Sequence, residues 1–150
     1  MTTSEVINLA VAISGLVLSM VAIVISIKTF QKQIILELFY RRYDIYYACE
    51  LICGMCSVGM PKEVIRVLEL RNIECDDPVL GKVKFLFDDT TYKRIMNIFG
   101  NWNLMRNYYD YVDLDEKIRM EYESLKNWFE SEKEKIDKLF ENYLDLRETK

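Results

Sequence analysis

Histidine is missing from all 150 residues. Its absence removes Ser-His and Cys-His nucleophile pairs, imidazole metal sites and histidine acid–base catalysis together. Five glycines, at positions 15, 54, 59, 81 and 100, are too scattered to build a phosphate-cradling loop. Only two prolines, Pro61 and Pro78, interrupt the chain, so long stretches are free to be helical. Low-complexity tracts and internal repeats are absent as well. No strong basic excess exists either: the net charge is −4, which argues against a nucleic-acid-binding surface.

The most consequential absence is local. From Val6 to Ile27, 22 residues pass without a single charge, and most are Val, Ile, Leu or Ala. As a helix this run is about 33 Å long, enough to cross a hydrocarbon core of about 30 Å. A core helix of a soluble protein would carry a charged face. A cleaved secretory signal would open on a positive charge and close on small residues. Here Glu5 precedes the run and Ile25-Ser26-Ile27-Lys28 ends it. The expectation is an uncleaved transmembrane anchor over residues 1–29, followed by a helical domain over residues 30–150.

Charge asymmetry orients the anchor. No Lys or Arg precedes it, whereas Lys28, Lys32, Arg41 and Arg42 follow, opposed only by Glu37. Cations are retained on the cytoplasmic side, so the N-terminus is expected outside and the helical domain in the cytoplasm. The same four cations suit anionic headgroups. In that reducing compartment Cys49, Cys53, Cys56 and Cys75 are expected to remain thiols.

Beyond the anchor, Phe30, Ile34, Ile35, Leu38, Tyr46 and Cys49 keep helical spacing, which predicts one long helix ending at Gly59-Met60-Pro61. Pro61 suits the first turn of a second helix reaching about Asn72. Cys75 to Pro78 reads as a turn. Residues 79–87 mix β-branched and aromatic types. With no second strand candidate to pair with, they are read as a buried helix. Asp88-Asp89-Thr90 offers N-cap chemistry for a helix to about Tyr111. Asp113 and Asp115 introduce a last, long helix. Its seam is Ile118, Tyr122, Leu125, Phe129, Glu132, Ile136, Leu139, Tyr143 and Leu146. Such a seam serves either a bundle core or a coiled coil between subunits. The fold class is all-α in both cases.

Inside the anchor, Asn8, Ala12, Gly15, Ser19, Ala22 and Ser26 recur at alternating spacings of four and three, and Thr29 and Gln33 continue them. Helices in lipid associate through small residues that let backbones approach and through hydroxyl or amide hydrogen bonds. The face is therefore read as a self-association surface. Two alternatives stay open. One is a simple tether in which the pattern is chance. The other is a ring of helices around a pore lined by Asn8, Ser19 and Ser26.

Cys49-x3-Cys53-x2-Cys56 has the spacing of an iron–sulfur triplet, yet it lies at helical intervals beside Tyr46 and Ile52. Burial on one helix face is the favoured reading; a metal site completed by Cys75, or oxidation sensing, is the alternative. No cofactor or metal is assigned. The acidic pairs Asp76/Asp77 and Asp88/Asp89 are read as helix caps, and the tyrosines at 40, 43, 46, 47, 108, 109 and 111 as packing.

Phe39-Tyr40-Arg41-Arg42-Tyr43-Asp44-Ile45-Tyr46, with Phe85-Leu86-Phe87-Asp88 and Tyr92-x2-Ile95, resembles a loose group of uncharacterised bacterial proteins. These pair an N-terminal membrane helix with a cytoplasmic helical domain. In that pattern Arg42 and Tyr46, one turn apart, are expected to stack or share a hydrogen bond. The architecture is also similar to the membrane accessory protein of Cas13b-type CRISPR loci, a pore-forming family. That family looks related to nucleases with an Arg-x4–6-His pair. Arg106-Asn107 matches the opening, but Tyr111 or Val112 stands where histidine belongs, so nuclease activity does not carry over.

These readings together predict a non-enzymatic protein of the bacterial inner membrane. It would touch the lipid bilayer, form a homo-oligomer and use its bundle to bind a cytoplasmic protein partner or sense a signal. A membrane-permeabilising defence effector is the sharper form. A membrane-tethered enzyme with a degenerate nuclease-like or cysteine/metal site is the alternative.

Overall fold

The computed structural model describes residues 2–70 and 83–144. All regular structure among them is α-helical: α1 (Thr3–Ser57), α2 (Glu63–Leu70), α3 (Asp89–Tyr108), α4 (Glu116–Lys133) and α5 (Ile136–Leu144). The chain forms two compact units, residues 1–38 and residues 39–150.

The first unit is a single stretch of α1. Its described large apolar side chains from Ile7 to Ile27, among them Ile13, Leu16, Val17, Val21 and Ile23, are exposed. By length and composition α1 is the one candidate membrane span among the described residues.

The second unit is a helical bundle. From Phe39 to Ser57, α1 buries Ile45, Cys49, Ile52 and Cys56, the spacing of one helix stripe. Opposite them lie Val64 and Leu68 of α2, Ile95, Phe99 and Trp102 of α3, Phe129 of α4 and Phe140 of α5, all in one core. The aromatic members meet edge-on, Phe140 against both Phe87 and Tyr46 with ring centroids 5.4 Å apart.

α1 stops where the sequence places a glycine. Gly59 has φ +81°, its N–H donates to the Cys56 carbonyl at 3.0 Å, and Met60 N–H donates to Met55 at 2.9 Å. This pair of bonds satisfies carbonyls that the helix end would otherwise orphan. Pro61 is buried, and its carbonyl accepts from Trp102 Nε1 at 2.8 Å, fixing α3 to the turn. α2 begins two residues later than expected; its anticipated end at Asn72 and the turn at Cys75–Pro78 lie outside the described residues. Asp88 caps α3 through Thr90 N–H and Thr91 N–H, and Asp115 caps α4 through Lys117 N–H and Ile118 N–H. α3 ends at Tyr108 rather than Tyr111, followed by a chain of turns through residues 109–114.

Two expectations meet differences. Of the helix expected over 79–87, residues 79–82 lie outside the described residues, Val83 is helical, and residues 84–87 form a turn. Leu86 N–H bonds back to Val83, only Val83 and Phe87 are buried, and Phe85 is 86 % exposed. A turn lets two separated apolar residues reach the core without the continuous face that a buried helix needs.

The single last helix is in fact two, broken at Glu134-Lys135. Lys135 N–H turns back to the Glu132 carbonyl at 2.8 Å, a tight three-residue closure that interrupts the α ladder. The break re-aims the seam. Tyr122, Phe129, Glu132 and Ile136 remain buried, but within α5 Phe140 rather than Leu139 joins Ile136 in the core. This seam therefore packs within its own domain. Leu146 lies outside the described residues.

Candidate membrane helix and its polar face

Asn8, Ala12, Gly15, Ser19, Ala22 and Ser26 are all exposed on α1. A Cβ built at Gly15 meets nothing within 4 Å, so that position is open to a neighbouring backbone. The serine hydroxyls are not idle in the isolated helix. Ser19 Oγ donates to the Gly15 carbonyl at 2.8 Å, and Ser14 Oγ to Val11 at 2.9 Å. A serine bonded back along its own helix remains an acceptor for a second one, which is how hydroxyls join helices in lipid.

The four cations divide. Lys28, Lys32 and Arg41 are exposed. Arg42 is half-buried instead: its Nε donates to the Leu86 carbonyl at 3.1 Å and its guanidinium lies 5.4 Å from the Tyr143 ring centroid. The expected stacking of Arg42 with Tyr46 is thus replaced. Tyr46 Oη donates to Asp137 at 2.8 Å, and burial followed by that bond raises its pKa. Long-range partners outcompete the neighbour one turn away because they satisfy a backbone carbonyl and a carboxylate. Tyr143 in turn donates to Asp88 and accepts from its backbone N–H at 3.1 Å. Arg42, Tyr143 and Asp88 thereby join α1, the 84–87 turn, the start of α3 and α5.

Cys49, Cys53 and Cys56 are fully buried and not disulfide-bonded. Burial pushes the Cys53 and Cys56 thiols up to about 12, with the Glu132 carboxylate adding to the effect at Cys53. They are thiols at neutral pH, without the nucleophilic anion. Cys75 lies outside the described residues. Among the described residues no group of three or more His, Cys, Asp or Glu side chains is placed to hold a metal ion.

The sequence reading missed one buried polar site. Glu132 is 7 % exposed, and its Oε2 accepts from both Nε and Nη2 of Arg94 at 2.8 Å, while Lys135 Nζ reaches Oε1 at 3.1 Å. A charge inside an otherwise apolar seam was the available signal.

The fold and this helix define a class: an all-helical protein carrying one candidate membrane span. Comparison with protein-family models, curated proteins and solved structures gives no match, so the functional reading rests on the chain's own residues.

Proposed function

We propose that the chain is a non-enzymatic single-pass protein of the bacterial inner membrane. The segment from Val6 to Ile27 lies in the bilayer, with the N-terminus outside and the helical domain in the cytoplasm. Copies associate through Asn8, Ala12, Gly15, Ser19, Ala22 and Ser26, and the bundle engages a protein partner or senses a signal. The observation that carries this reading is the exposure of every described large apolar side chain from Ile7 to Ile27. A surface of that size has no stable place in water. Orientation follows from Lys28, Lys32 and Arg41 on one side of the span and no cation on the other.

The test is membrane fractionation followed by mass measurement in detergent. Wild-type chain is expected in the alkali-resistant membrane fraction and as a multiple of 17.9 kDa. Gly15→Leu with Ser19→Leu keeps the helix apolar but fills the face that backbones would share. It is expected to leave insertion intact and shift the mass toward one copy. Full-length chain in the soluble fraction refutes the membrane assignment. Unchanged oligomers in the double variant refute the association face.

A further inference from the structure

One end of the bundle gathers the close of α1, the approach to α2 and the turns between α3 and α4. Tyr122 Oη donates to the Gly59 carbonyl at 3.0 Å, and the Tyr122 and Tyr109 ring centroids lie 6.4 Å apart. Lys62 Nζ bonds Asp110 at 2.5 Å and lies 5.1 Å from the Tyr109 ring centroid. Around these contacts Val58, Met60, Tyr109, Tyr111 and Leu114 are exposed, Leu114 by 80 % and Val58 by 64 %. Single apolar residues are ordinary on a protein surface, but a cluster at one end marks a contact surface. Leu114 N–H and Asp115 N–H both donate to the Tyr111 carbonyl, at 3.0 and 3.2 Å. The turn is thus already ordered, and docking on it costs little conformational entropy.

The charge around the cluster selects its occupant. Residues 109–116 carry Asp110, Asp113, Asp115 and Glu116 and no Lys or Arg. Lys62 neutralises Asp110, and Arg119 meets Glu116 at 3.4 Å. Asp113 and Asp115 flank Leu114 directly, and neither meets a cation among the described residues; Asp115 accepts backbone N–H groups of α4. An apolar knob between two uncompensated carboxylates fits an apolar side chain flanked by Lys or Arg. A second copy of the same surface would set these carboxylates against each other, and an anionic bilayer would repel them.

We infer that the surface formed by Met60, Tyr111 and Leu114 with Asp113 and Asp115 docks a basic, amphipathic segment of a partner protein. Apolar side chains of that segment cover Tyr111 and Leu114, and its cations meet Asp113 and Asp115. This rests on the partner-binding reading proposed above and supplies its surface.

The probe is a fluorescent amphipathic peptide of leucine and lysine, with a twin carrying glutamate for lysine. Anisotropy is read against the full chain in phosphatidylcholine nanodiscs, with the signal of empty nanodiscs subtracted. The lysine peptide is expected to bind and the glutamate twin to stay free. Tyr111→Ser with Leu114→Ser is expected to weaken binding about tenfold or more. Asp113→Asn with Asp115→Asn, which keeps a cap on α4, is expected to weaken it about threefold or more. Both double variants are expected to keep the wild-type near-ultraviolet circular dichroism; where the first loses it, Leu114→Ser alone takes its place. Equal binding of the two peptides, or of wild type and either folded variant, overturns the inference. A solvent-sensitive dye on Leu114→Cys is expected to report water until the lysine peptide is added. A dye already shielded sets Leu114 against lipid or a second copy and overturns the inference as well. Photo-crosslinking in cells separates this surface from the reading it rests on. Protein crosslinks from other bundle positions, with none from Leu114, overturn the surface and leave the partner reading standing. No protein crosslink from any bundle position overturns both.

Discussion

Replacing Arg94 by Met isolates the buried carboxylate of Glu132. In the wild type that carboxylate accepts two bonds from Arg94 at 2.8 Å and one from Lys135 at 3.1 Å, and only 7 % of the residue reaches water. Removing one partner of a buried ion pair costs about 3–5 kcal/mol, because the remaining charge loses its compensation. Here two features reduce the loss. Lys135 stays within reach, and the Arg94 side chain is itself 37 % exposed, so water can enter the space it leaves. The expected destabilisation is about 2–3 kcal/mol. For a unit of this size it lowers the melting temperature by roughly 8–20 °C. Arg94→Met combined with Glu132→Leu removes the charge as well as its partner and is expected within about 1 kcal/mol of wild type. Thermal melts of the detergent-solubilised full chain, followed by near-ultraviolet circular dichroism, read the bundle, because residues 6–27 contain no aromatic side chain. A single variant as stable as wild type, or a double variant as damaged as the single, would refute the reasoning.

Three further outcomes follow from the geometry. Val6 to Ile27 contains 13 Val, Ile and Leu residues, which favour insertion by about 4–8 kcal/mol in total before polar positions are counted. Leu16→Asp with Val17→Asp costs about 5–8 kcal/mol at the helix centre. The variant should leave the alkali-resistant membrane fraction, and full retention would contradict the hydropathic argument. The hydrogen bond from Tyr143, with those from Thr91 and Thr90, holds the Asp88 carboxyl below its ordinary value. A depressed folded pKa gives stability that is complete above the unfolded pKa, near 4, and is lost as pH falls through the lower folded value. Melts between pH 6 and pH 2 should show this loss, reduced in Asp88→Asn, and equal acid sensitivity in the two proteins counts against it. With thiols raised to about 12, the thiolate fraction of Cys53 and Cys56 at pH 8 is on the order of one in ten thousand. Mass spectrometry should find both unalkylated until denaturant is added.

The parts of the fold that depend on neighbours in sequence were legible before any coordinates. The apolar run, the Gly59 stop and the Asp88 and Asp115 caps each use bonds within a few residues, and residue type alone specifies them. What escaped the sequence depends on groups far apart in the chain. Arg42 was read with Tyr46 one turn away, but its partners are Leu86 and Tyr143. Glu132 looked like a single polar interruption in a continuous seam, whereas Arg94, 38 residues earlier, gives it a reason to be inside. The backbone carbonyl of the same glutamate accepts the Lys135 N–H where the last helix breaks. Residues 84–87 misled for a related reason: their composition suits a buried element, and only the spacing between Val83 and Phe87 tells that two side chains, not a face, go inward.

Side chains that often serve catalysis are here committed to structure. Arg42 and Tyr143 tie α1 and α5 to the 84–87 turn, Asp88 caps α3, Tyr46 bonds Asp137, and Arg94 neutralises Glu132. Cys53 and Cys56 are held as neutral thiols in the core. Among the described residues the longest exposed apolar stretch falls on α1, beside a face of small and polar residues. In the reading proposed above, α1 meets lipid on some sides and another helix on the rest. Mutations that change the bundle interior are therefore expected to act through stability, and mutations on α1 through assembly. The two classes should separate in a single experiment that reads melting temperature and oligomer mass on the same set of variants.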